Sequence, residues 1–248
     1  MSSGRAGAEA SNSSPDNLSV VSRIAGIIRR PRSTFAAVGA APRWAGLLAL
    51  LVAVSFAVSA AFFSTEVGRQ ALVDQWERTA LAFGRPVDDA RYAEFHEVSA
   101  RGGAYAALTT LVSGPLAAIG LSAAVFGIFT AARGGRASFR QVLAVVVHAQ
   151  VILVLRQLVA APVNYGRESM ASPTTLVRFF RILDEGSALA RFFGLIDVFV
   201  LWWLVVLAIG IAVLYRLPAR TVAAASIGVY LVVALVLVGT MAMLGGVS

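Results

Sequence analysis

The chain has 248 residues, of which 58% are hydrophobic and only 14% charged, against roughly 25% charged in an ordinary soluble domain. A soluble globule of this size cannot hide that much apolar surface, so soluble, disordered and disulfide-stapled classes are excluded, and a polytopic membrane protein is expected. The formal charge is +8, every basic residue is Arg, and Cys is absent. That removes disulfides, thiolate metal sites and cysteine nucleophiles. The arginines flank apolar runs instead of forming one basic face, which points away from nucleic acid and toward anionic lipid.

In chain order, residues 1–17 are small and polar and read as a disordered tail. The first apolar run starts near Trp44, too late and too long for a signal-peptide core, so it is read as an uncleaved anchor. Residues 18–43 form a juxtamembrane segment. Within it, Leu18 to Arg30 places Val20, Val21, Ile24, Ile27 and Ile28 on one helical face and Ser19, Ser22, Arg23, Arg29 and Arg30 opposite, with Pro31 as the stop. A basic amphipathic helix beside a span is expected in the lipid interface, and packing against the protein's own spans is the alternative. The remainder, 44–248, is read as one five-span domain.

Five runs can cross a hydrocarbon core of about 30 Å at about 1.5 Å per residue. They are Trp44 to Phe63, Tyr105 to Ala132, Val142 to Ala161, Phe192 to Tyr215 and Thr221 to Leu244. They lack period-two alternation, so they are read as helices. Thr65 to Phe83 is read as a further helix outside the bilayer, resting on the membrane or the bundle. Short links rich in Arg stay cytoplasmic. Residues 18–43 before the first span, the link Arg133 to Gln141 and the link Arg216 to Arg220 carry Arg and no acid, while Ser64 to Ala104 holds seven acids. The predicted topology therefore has a cytoplasmic N-terminus and an extracytoplasmic C-terminus in the cell membrane.

Few residues carry chemistry. His96-Glu97 has no second His four residues after the first, so no zinc-protease motif exists, and Gly134-Gly135 is a turn without a phosphate-loop pattern. Gly120-Leu121-Ser122-Ala123 falls one residue short of a GxSG element and is read as small-residue helix packing. No catalytic residue, metal or cofactor is expected. Gly114 and Pro115 predict a kink in the second span. His148 and Gln150 in the third span are candidates for function or for interhelical hydrogen bonds. Arg156 and Asp197 are the only charges within any span, have opposite signs, and lie at matched depths of about 7.5 Å below one boundary. An ion pair between them is expected; snorkelling of Arg156, with Asp197 protonated or capping a helix, is the alternative.

Several short motifs then fall in a recognisable order. Pro31-Arg32-Ser33-Thr34-Phe35 follows the basic segment, and Pro42-Arg43-Trp44 opens the first span. Gly134-Gly135-Arg136-Ala137-Ser138-Phe139-Arg140-Gln141 precedes the third, and Asp197-Val198-Phe199-Val200-Leu201-Trp202 stands early in the fourth. Together they resemble the bacterial branch of the Yip (Ypt-interacting protein) family of five-span membrane proteins, over about Ile24 to Leu244. The third span departs from the family pattern in having no proline between Gln150 and Arg156. The resemblance implies an all-α bundle with a cytoplasmic N-terminus and no established catalytic residues. Eukaryotic members associate with Rab-type GTPases and with one another, and are implicated in membrane traffic and shaping. The resulting expectation is a non-enzymatic membrane scaffold, with a small permease as the alternative. Its partners would be the lipid bilayer, a second copy or another membrane protein.

Overall fold

The computed structural model describes residues 20–131, 134–180 and 187–244. The polar tail 1–17, Leu18, Ser19, Arg133 and the C-terminal Ser248 lie outside the described residues. Helix boundaries follow local capping chemistry. Thr65 starts α4 (Glu66–Ala82) by accepting a hydrogen bond from Gly68 N, and Asp88 starts α5 (Asp89–Phe126) by accepting from Arg91 N. Ser138 starts α6 (Phe139–Ala149) with a full capping box: its side chain accepts from Gln141 N while Gln141 Oε1 accepts from Ser138 N. The remaining α-helices are α1 (Val20–Arg29), α2 (Pro31–Ala40), α3 (Ala45–Phe63), α7 (Val151–Gly166), α8 (Ala188–Leu195), α9 (Val198–Tyr215) and α10 (Ala219–Leu244). No β-strand occurs among the described residues; one isolated bridge joins Thr175 to Asp197.

Among the described residues, five helical segments are long and apolar enough to cross a membrane: α3, α5, the α6–α7 pair, α9 and α10. The α6–α7 span is the hub. Val142 to Ala149 are all buried, and α6 touches α2, α5 and α9 while α7 lies on α3 and α9. Phe35, Leu47, Ile152, Val206, Leu207 and Ile211 close the core around it. Close approach at Gly210 sets the α6–α9–α2 spacing, since a Cβ there would lie 2.5 Å from Val145 Cγ1 and 3.0 Å from Phe35 Cε1. One end of the bundle gathers α1, α2 and the starts of α3, α6 and α10; the other carries α4, the start of α5 and α8.

Three spans differ from the sequence reading, each for a local reason. The second span starts as a helix at Asp89, not Tyr105, because Asp88 caps it there and nothing interrupts the polar stretch that follows. At about 1.5 Å per residue, its 38 residues extend about 57 Å, well past a bilayer core. It also runs unbroken through Gly114 and Pro115. The interruption of regular helix lies downstream, in the π-helical turn Gly127–Ala131. Pro115 removes one hydrogen bond without ending the helix, as membrane spans tolerate. The third span is interrupted at Gln150 without any proline: the Gln150 carbonyl accepts from both Leu153 N (2.9 Å) and Val154 N (3.1 Å). The fourth begins at Val198 instead of Phe192, because Asp197 caps α9 and leaves Ala188–Leu195 as a separate helix.

Candidate functional site

The most connected polar group in the bundle is Asp197, 3% exposed at the start of α9. Its Oδ1 accepts from Phe199 N (2.9 Å) and Val200 N (3.4 Å), which is ordinary N-capping. Its Oδ2 accepts from Arg156 Nε (2.7 Å), Ser172 Oγ (2.8 Å) and Thr174 Oγ1 (2.6 Å). Arg156 also donates from Nη2 to Ser172 Oγ at 3.1 Å. The structure thus brings together Arg156 and Asp197, the two charges that the sequence placed within spans. It combines the readings the sequence left open, because one carboxylate both pairs with Arg156 and caps a helix.

Backbone bonds lock this node in place. Leu176 N donates to Ile196 O and Val198 N to Thr174 O, while Tyr230 on α10 donates to Leu195 O (2.6 Å) and accepts from Asp197 N (3.2 Å). A buried carboxylate is costly unless its lone pairs are filled. Here five donors fill them, drawn from α7, the connector after it, and α9 itself. Ser172, Thr174 and Tyr230 were not singled out from the sequence. Hydroxyls in a polar loop or on an apolar span carry no periodic signal; only the Asp197 requirement for donors hinted that partners must exist.

A second polar tie joins neighbouring helices. Gln157 donates to Ser55 O and to Ser59 Oγ, both at 3.1 Å, joining α7 to α3. Beside it runs a cleft of about 320 Å³ between α3, α5 and α7, bordered by Gln150, Ser55, Thr110, Ser113 and Gly114. A neighbouring cleft of about 450 Å³ shares Thr110, Leu153 and Gln157 and reaches Arg156, Asn164 and Ser172. Gln150 and Gly114 therefore face one groove, with Gly114 bringing α5 close to Val52. His148 does not join them. It is fully buried, and its Nδ1 lies 2.7 Å from Ala144 O. A carbonyl can only accept, so Nδ1 carries the proton, and the bond stays within α6 instead of crossing between helices.

At the other end of the bundle, the apolar face predicted to lie in lipid is divided. Ile27 is fully buried and Ile24 packs partly against the core, so these two belong to the bundle, not the interface. Ile28 and Val21 remain 42% and 73% exposed. The reason is tight packing of α1 on α2: a Cβ on Gly26 would lie 2.5 Å from Thr34 Oγ1. Arg29 and Arg30 are exposed as expected, but Arg23 is turned inward, donating from Nη1 to Arg43 O at 3.1 Å.

A family model described as the Yip1 domain matches residues 25–241. No curated protein and no solved structure matches the chain. Five apolar spans and a family match over most of the length establish that this chain belongs to the Yip1-domain family and is a multi-pass membrane protein.

Proposed function

We propose that the protein is a non-enzymatic membrane scaffold that organises other membrane components, oriented with its N-terminus in the cytoplasm and its C-terminus outside the cell membrane. The observation that carries this reading is the unbroken burial of Val142 to Ala149 at the bundle centre, with His148 sealed inside. A hub packed in this way resists the rearrangement that alternating access requires. The Asp197 carboxylate supports it too, since its acceptor capacity is spent on protein donors instead of being left for a solute. The orientation is supported by the arginines of the short links.

One observation favours a permease as the second reading. The groove past Gln150 and Gln157 leads toward Arg156 and Ser172 and carries these polar side chains among apolar walls. Thiol accessibility distinguishes the two, because the chain has no cysteine of its own. In sealed vesicles, Gln150→Cys is expected to stay inert to a water-soluble maleimide from either side, while Ser172→Cys reacts from one side. A photo-crosslinker at the exposed Val232 of α10 is expected to give a discrete adduct with a second membrane protein or a second copy. Rapid labelling of Gln150→Cys together with no adduct would replace the scaffold with the permease.

A further inference from the structure

A cleft of about 690 Å³ opens where α1, the start of α3 and the first turns of α6 meet. Arg23, Arg43 and Arg140 line it, with Trp44, Leu47 and Leu143 among its apolar walls. We propose that this cleft holds the phosphate-bearing headgroup of an anionic phospholipid.

Four features carry the assignment. The first is unspent donor capacity: Arg23 Nε is buried with no hydrogen-bond partner, although its Nη1 reaches Arg43 O. The second is the start of α3, where Trp44 provides no side-chain cap for the N–H groups of the first turn, and Ala45, Gly46 and Leu47 all line the cleft. Uncapped amides and guanidinium groups together suit a phosphate. The third is charge. Among the described residues, 20–65, 98–167 and 198–244 contain no Asp or Glu, so no carboxylate of α1, α2, α3, α6, α9 or α10 neutralises Arg23 or Arg140.

The fourth feature selects lipid over a soluble phosphate. Leu47 and Leu143 are 2% and 5% exposed and continue into the bundle core, while Trp44 stands at the boundary of the first span. An amphipathic ring at that level, basic groups above it and apolar residues below match a headgroup with its chains alongside α3. A free phosphate would gain nothing from the apolar walls. The scaffold reading affects only what the bound lipid is for, and the proposed orientation only which leaflet supplies it; binding itself depends on neither.

The test uses the full chain, purified in detergent, delipidated, and offered equal amounts of phosphatidylglycerol and phosphatidylcholine, with retained lipid read by native mass spectrometry. Wild type is expected to retain phosphatidylglycerol preferentially, and millimolar inorganic phosphate is expected not to displace it. Neutralising an arginine that faces the bound headgroup is expected to lower binding roughly fivefold. Arg23→Gln with Arg140→Gln is thus expected to lower the preference by about 25-fold. The control, Arg216→Gln with Arg220→Gln, removes the same charge from the α9–α10 turn outside the cleft and is expected to change it less than twofold. Gly46→Trp keeps every charge and fills the cleft, since a Cβ at Gly46 meets nothing within 4 Å; it too is expected to abolish the preference. If the arginine pair fails to fold, Gly46→Trp alone decides. Equal retention of both lipids, equal loss in the control pair, an unchanged preference in Gly46→Trp, or displacement by phosphate would each overturn the proposal.

Discussion

Removing the Arg156 side chain and removing the Asp197 side chain are predicted to have unequal costs, because the two ends of the ion pair are unequally buried. The Arg156 side chain is 34% exposed and that of Asp197 only 5%. Arg156→Leu takes one charge-assisted bond from a carboxylate that keeps Ser172, Thr174 and two backbone amides, a loss of about 1.5–3 kcal/mol. Asp197→Leu removes that bond, the α9 cap and the acceptor for two hydroxyls, and leaves a guanidinium without its counter-charge, for about 3–5 kcal/mol. The hydroxyls soften this, since Ser172 Oγ and Thr174 Oγ1 lie 3.0 Å apart and can bond each other. In the double variant no charge is stranded, yet the cap is still lost. Its cost should therefore lie within about 1 kcal/mol of Asp197→Leu alone, which makes the coupling about 2 kcal/mol. The assay is reversible unfolding in mixed micelles titrated with dodecyl sulfate, following helix content. Additivity within about 0.5 kcal/mol, or a larger loss for Arg156→Leu than for Asp197→Leu, would refute this account of the node.

Other consequences can be checked separately. Gly210→Ala forces a methyl into Val145 and Phe35 and should destabilise the fold by about 1–3 kcal/mol in the same assay; a neutral result would mean α6 and α9 are less tightly apposed. Ile27→Asp should disrupt folding while Ile28→Asp should leave the melting temperature nearly unchanged, because only Ile27 is buried. Equal effects would return α1 to the lipid interface. Ser138→Ala removes half of the α6 capping box and should cost about 1 kcal/mol in that unfolding titration. Alkaline phosphatase fused after Ser248 should be active and one fused within Arg216 to Arg220 inactive, with equal activity at both sites contradicting five crossings in the proposed orientation.

Composition and the length of the apolar runs were enough to specify an all-α, five-span protein, because a bilayer admits so few backbone solutions that hydropathy alone selects among them. The ordered motifs from Pro31 to Trp202 sufficed for the family. The Arg156–Asp197 pair was legible for a similar reason: two opposite charges at one depth in lipid have few other ways to be compensated. Cap residues were legible only in part. Asp88 and Asp197 set the starts of α5 and α9, yet hydropathy smooths over such single-residue effects and misplaced both span boundaries. Which side of a helix meets protein and which meets lipid could not be read at all, because both surroundings are apolar. Ile27 and Ile28 are adjacent and chemically identical, and only the packing of α1 on α2 buries one and exposes the other. The same holds for Arg23, which the helical period places with Arg29 and Arg30 but tertiary contact turns toward Arg43. Ser172, Thr174 and Tyr230 reach Asp197 from 25, 23 and 33 residues away, respectively. Their roles exist only once the chain has folded, because hydrogen bonding across such separations is fixed by how α7, α9 and α10 pack and not by any local preference of the residues themselves.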